Sequence, residues 1–129
     1  MPRGNQSRKP TDAEFAILAV IWERGSATVR EVYDDLSARQ TIGYTTVLKL
    51  MQIMHEKGLL ERDTGVRPQI YRPAQPRTQT QKFLLRDLAE RAFGGSPGEL
   101  VLRALSLKQS SPEELQQIRE LLDRLEDQP

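Results

Sequence analysis

The 129-residue chain has no cysteine, a single histidine and only 5% aromatic residues. Without cysteine there is no disulfide, no thiolate metal site and no cysteine nucleophile. With His55 as the lone histidine, neither a His-centred catalytic triad nor a multi-His metal site can form within one chain, and His55 itself reads as a surface residue. So few aromatics argue against a stacking platform for single-stranded RNA. No apolar run is long enough to span a bilayer, so no membrane insertion is expected. The opening MPRGNQSRKP lacks the apolar segment of a secretory signal and, to about Pro10, reads as disordered. A phosphate-binding glycine loop is missing too, since Gly94-Gly95 reads as a helix stop. The carboxylates stand at helix starts (Glu14, Glu31, Glu99, Glu114) or on helix exteriors, where dipoles and ion pairs account for them. The expectation is a cytoplasmic protein that is not an enzyme and has no metal and no cofactor.

Charge is unevenly spread. Residues 1–82 hold 13 Lys and Arg against 9 Asp and Glu, whereas residues 83–129 hold 6 against 9, so +4 and −3 make up the net +1. A basic front and an acidic rear point to an anionic partner for the front alone. Between them RPAQPRTQTQ (72–81) is polar, carries two prolines and has no periodicity, the marks of a linker. The expected division is a domain at 10–73, a linker at 74–81 and a helical domain at 82–127.

TDAEFAILAVIWERG opens with Thr11 and Glu14 at capping-box spacing, where each side chain satisfies the other residue's backbone amide. Phe15, Leu18, Ile21 and Trp22 then fall on one helical face, and Gly25 stops the helix. TVREVYDDLSAR repeats the device with Thr28 and Glu31 and turns Val29, Val32 and Leu36 inward. YTTVLKLMQIMHEKGLL gives a third helix with Val47, Leu50, Met51 and Met54 inward and Gly58 as its stop. LLERDTGVRPQIYRP predicts a hairpin with strands at 59–62 and 69–72 and its tip at 64–68. Pro68 suits a tip but not a central strand. Three rear helices follow. The first spans roughly 81–93, with Phe83, Leu84, Leu88 and Phe93 apolar. The second and third open on the capping boxes Ser96–Glu99 and Ser111–Glu114, each with proline at the first helical position. Three helices and a hairpin predict a mainly α protein, a winged helix-turn-helix domain followed by a three-helix C-terminal domain. The rear helices are too short to form a core alone. The stripe Leu115, Ile118, Leu122 and Leu125, with Leu88 and Leu100, is therefore expected to seal a homodimer, the alternative for the stripe on 112–126 being an intramolecular core.

In a helix-turn-helix the second helix of the pair enters the major groove with its first turns against base edges. That helix begins here near Tyr44 and presents Tyr44, Thr45, Thr46, Lys49 and Gln52 off its apolar stripe. Threonine bonds a phosphate or packs its methyl on thymine, glutamine pairs with adenine, and lysine meets guanine or phosphate. Arg62 and Arg67 flank the hairpin tip, within reach of a duplex backbone or minor groove. The rival reading is a protein-binding winged helix, an adaptor in a transcription assembly. Salt dependence separates the two, because phosphate contacts release counterions.

Three segments together, TDAEFAILAVIWERG, YTTVLKLMQIMHEKGLL and GVRPQIYRP, resemble the penicillinase-repressor family, which includes repressors of β-lactamase and methicillin resistance and copper-responsive repressors. The resemblance rests on Ile21-Trp22, Thr46-Val47 through Lys57-Gly58, and Tyr71-Arg72-Pro73, in the family's order, and extends over about residues 10–125. It implies a dimeric repressor on a palindromic operator of double-stranded DNA, joined through its C-terminal helices. By position, the implied contacts are Thr45, Thr46 and Lys49, with Arg67 and its neighbours on the wing. It also implies a partner protease, such as a membrane sensor peptidase. Staphylococcal members are cut at an Asn-Phe bond in the penultimate helix, but LVLRALSL places Arg103-Ala104 there, so that specificity does not carry over. Copper sensing through a C-terminal cysteine cluster is excluded.

Overall fold

The computed structural model describes residues 9–128. The stretch expected to be disordered lies outside them except for Lys9 and Pro10, and Pro10 is buried. The order of elements is α1 (Asp12–Arg24), α2 (Val29–Ser37), α3 (Tyr44–Glu56), β1 (Leu60–Asp63), β2 (Ile70–Pro73), α4 (Arg77–Ala92), α5 (Pro97–Leu107) and α6 (Pro112–Glu126). Three helices and an antiparallel hairpin make a winged helix-turn-helix, and three further helices follow it.

Local chemistry sets most boundaries. Thr11–Glu14, Thr28–Glu31 and Ser111–Glu114 close as capping boxes at the starts of α1, α2 and α6. The expected box at α5 is only half made. Ser96 Oγ accepts from the Glu99 amide at 3.1 Å, but the Ser96 amide already donates to the Phe93 carbonyl, so nothing remains for Glu99 to reach back to. Gly58, with φ +84°, turns the chain out of α3 in the left-handed region that glycine enters without a Cβ clash.

The core of the front unit gathers Ile17, Leu18, Val20 and Ile21 of α1, Val29, Val32 and Leu36 of α2, Val47, Met51 and Met54 of α3, and Leu60 and Tyr71 of the hairpin. The inward residues expected of α2 are all buried, and so are those of α3 save Leu50, which is half-buried. On α1 the expected face is corrected. Ile17 and Val20 are buried, while Phe15 and Trp22 are only partly covered and meet edge to face, ring centroids 5.7 Å apart. Helix α1 packs against α2, α3 and β2, so its buried surface is wider than a single stripe, and the two large rings border it.

The hairpin runs one residue later in each strand than expected, pairing Leu60 with Pro73 through Asp63 with Ile70. Two contacts hold it there. The Asp63 carboxylate accepts from the Gly65 amide at 2.9 Å, closing the strand end. Tyr71 also exchanges both backbone hydrogen bonds with Ala27, a one-residue bridge that ties the segment before α2 to the wing. Helix α4 begins at Arg77, so residues 77–81, expected as linker, are helical. Pro76 opens this first turn, accepting from the amides of Gln79 and Thr80. The Arg77 guanidinium lies 5.3 Å from the Trp22 ring and 3.9 Å from Glu23, a tertiary anchor that a polar sequence does not reveal. The chain divides into two compact units between Leu84 and Leu85, inside α4.

Candidate nucleic-acid interface

Helix α3 is fixed by one side and presents the other. Val47, Met51 and Met54 are buried. With 100° between successive residues, Thr45, Lys49 and Gln52 fall in a line on the opposite side, and all three are exposed. Thr46 is exposed beside that line. The helix also starts differently from its neighbours. Helices α1, α2, α5 and α6 open on a hydroxyl that bonds a first-turn amide, but α3 opens on Gly43 with no side-chain cap. Its first-turn amides are thus left to an outside acceptor, and the positive end of the helix dipole favours an anion there.

Tyr44 stands apart from the line. Its ring meets Tyr33 of α2 edge to face at 5.7 Å, and the Arg30 guanidinium lies over both rings, 5.8 Å from Tyr33 and 5.7 Å from Tyr44. A cleft of about 190 Å³ opens beside this cluster, between the start of α2, the flank of α3 and the base of the wing. Arg30, Tyr44, Leu48, Gln52, Pro68 and Gln69 are among its lining.

The two wing arginines differ. Arg67 is exposed in the tip, before a cis peptide bond to Pro68. Arg62 lies in β1 opposite Tyr71. Directly paired residues share a face of an antiparallel ladder, so Arg62 projects to the side where Tyr71 is buried. It is half-covered, and its Nε is buried without a hydrogen-bond partner among the described residues. On the other face Arg72 and Glu61 pair at 3.5 Å.

Ion pairs stand at both ends of α1. Lys57, the residue that ends α3, donates from Nζ to Glu14 Oε1 at 2.6 Å. Glu14 is 2% exposed, and the same oxygen accepts from the Thr11 amide at 3.0 Å. One carboxylate therefore caps α1 and clamps the far end of α3. At the other end of α1, Arg24 donates to both oxygens of Asp35 at 2.9 and 3.0 Å and reaches Glu31 at 3.4 Å. The hydrogen bond from Arg24 holds the Asp35 carboxyl below its ordinary value, against the opposing effect of desolvation, with attraction to Arg24 and Arg39 adding to it. The Arg24 guanidinium is raised in turn, first by that same bond.

In the sequence Glu14 stands out as a helix cap and Gly58 as a helix stop, and Lys57 carries no mark of its own. The pairing of Glu14 with Lys57 across 43 residues has no local signature. Arg30 falls outside the apolar pattern of α2, and nothing local in the sequence sets it apart from an ordinary surface charge. His55 is half-buried rather than fully on the surface.

In the rear unit Leu100, Leu115 and Ile118 are half-buried, while Leu88, Leu122 and Leu125 are exposed. Arg103 and Ala104 are exposed in the middle of α5. No helix of the described residues is long and apolar enough to cross a membrane.

The fold is a winged helix-turn-helix with a helical C-terminal unit, and a polar, partly basic helix face is its presented surface. The chain belongs to the penicillinase-repressor family, whose sequence model, described as penicillinase repressor, matches residues 10–124. It is 26% identical over 113 residues to a penicillinase repressor of Bacillus licheniformis, covering 88% of each chain. It is 34% identical over 87 residues to the transcriptional regulator BlaI of Mycobacterium tuberculosis, covering 66% of this chain and 63% of that one.

Proposed function

We propose that the protein is a transcriptional repressor that binds a palindromic operator in double-stranded DNA as a homodimer and excludes the transcription machinery from it. The observation that carries this reading is the exposed line Thr45–Lys49–Gln52 on a helix whose inner side is buried and whose first turn has no side-chain cap. Family membership supports it, as do the names of the repressor and regulator relatives. Thr45, Thr46, Lys49 and Gln52 face the major groove, Tyr44 flanks them, and Arg67 leads the wing contact, with Arg62 behind it. Two such units, one duplex turn apart, match a palindrome.

The exposed leucines of α4 and α6 supply the dimer contact. Apolar groups gain roughly 25 cal/mol per Å² on leaving water, and a second copy offers the same stripe in return. Release follows from weakening this contact or from proteolysis. A protease that takes an extended substrate must first unwind α5 to reach Arg103-Ala104, and no residue of α5 is buried to resist that.

The test is fluorescence anisotropy on duplex from the protein's own upstream region and on scrambled duplex, across a salt series. The expected result is sequence-selective binding of two chains per site that weakens steeply with salt. Lys49→Ala lowers the log–log salt slope by about one if Lys49 meets a phosphate. Weak binding indifferent to both sequence and salt would instead favour a protein-binding winged helix.

A further inference from the structure

We infer that Arg30 is a contact residue for a DNA backbone phosphate, held ready by Tyr33 and Tyr44, so that the DNA surface extends from α3 across the cleft onto the start of α2. This rests on the DNA-binding reading above and adds to it a residue and a role.

Arg30 stands on the first turn of α2 and its side chain is 69% exposed. Its guanidinium lies 5.8 and 5.7 Å from the two ring centroids, and the rings brace each other edge to face. An unbraced arginine gives up considerable side-chain freedom when it docks on a phosphate. Here the aromatic faces already attract the cation and narrow its range. The planar fork is left to donate two parallel bonds to a phosphodiester. Its own-helix partner is weak, since Nε approaches the exposed Asp34 carboxylate only to 4.0 Å, a pair that a phosphate readily replaces.

Placement agrees with this role. The cleft beside Arg30 is lined from α3 by Tyr44 and Gln52 and from the wing by Gln69. A strand seated there would lie next to the outward line of α3. At the start of α2 one first-turn amide is already taken, since Glu31 donates to Thr28 Oγ1 at 3.1 Å, so the helix start is not fully open to a phosphate. The side chain of Arg30 is the donor.

The experiment compares full-length wild type with Arg30→Ala, Arg30→Lys and Tyr33→Leu on upstream-region and scrambled duplex across the salt series. Unfolding midpoints are measured alongside. Arg30→Ala should weaken both duplexes by roughly tenfold and reduce the salt slope by about one. Arg30→Lys should keep the slope and lose part of the affinity. Tyr33→Leu should also keep the slope and weaken binding by less than Arg30→Ala, because the cation stays and one of its two bracing rings is gone. Unchanged affinity and slope in Arg30→Ala, with wild type binding normally, would overturn the assignment alone. A loss confined to the upstream duplex would overturn it too, in favour of a base contact, and Tyr33→Leu binding like wild type would overturn the bracing. Failure of wild type to bind either duplex would remove the repressor reading and this inference together.

Discussion

Helix α2 begins with Thr28 and Glu31 closing a capping box, and α6 begins with Ser111 and Glu114 closing the same box. Both then carry apolar residues at helical spacing. On α2 that stripe is buried, with Val32 at 0% and Leu36 at 3% exposure. On α6 it is covered far less, with Leu115 and Ile118 half-buried and Leu122 and Leu125 each at 52% exposure. Propensity and capping are alike in the two, so they do not decide burial. The front unit has three helices and a hairpin around its stripes, whereas α5 and α6 contain no buried residue. The same local code makes a self-sufficient fold in one place and an unfinished surface in the other. The proposed dimeric repressor would draw on that division, the front unit for DNA and the open stripe for a second copy.

The comparison is broken most directly at α6. Leu122→Asp combined with Leu125→Asp places two charges on the open stripe without touching the front core. If the stripe is the proposed seam, wild type should sediment as a dimer and this variant, at the same concentration, as a monomer. Operator affinity should fall on the order of 10²-fold or more, because two half-sites no longer act together. A dimer that survives this change with full affinity would show that the stripe is not the seam.

Within the front unit the largest effect is expected at the clamp between α1 and α3. Lys57→Met leaves the Glu14 carboxylate buried without its cation, a loss of about 3 kcal/mol in unfolding free energy. Urea unfolding measures it, and the loss should not depend on protein concentration. Adding Glu14→Gln should restore part of the stability, since the uncompensated charge is then gone.

How much of this was legible follows the range of the forces involved. The caps at Thr11, Thr28 and Ser111, the inward faces of α2 and α3 and the start of α3 at Tyr44 are set within a few residues, and the sequence showed them. The burial of Ile17 and Val20 depends on what packs around α1, and a single helical pattern carries no count of its neighbours. The early start of α4 is accompanied by Arg77 meeting Trp22, a contact between residues far apart in the chain. The clamp Lys57–Glu14, the bridge Ala27–Tyr71 and the Arg30 cluster all join residues distant in the chain. At the candidate interface the exposed line on α3 was readable from periodicity. The unlike settings of Arg62 and Arg67 needed the register of the hairpin, because a shift by one residue exchanges the faces of a strand.

The smallest effect is expected at the other end of α1, and it sharpens the comparison because it separates core from surface charge. Arg24 holds Asp35 with two hydrogen bonds, but both side chains remain more than a third exposed. Exposed pairs contribute little even with good geometry. The Asp35 carboxyl is held below its ordinary value in the folded protein. Its contribution is therefore complete at neutral pH and is lost as the pH falls below about 4 through the depressed folded value. Asp35→Asn should then lie slightly below wild type in stability at neutral pH, with the gap closing on acidification. Urea unfolding at several pH values reads this directly. If the gap instead matched that of Lys57→Met and vanished in high salt, surface charge rather than the apolar core would be holding α1 to α2. The contrast between a front unit closed by its own core and a rear unit with an open apolar stripe would then have to be drawn on other grounds.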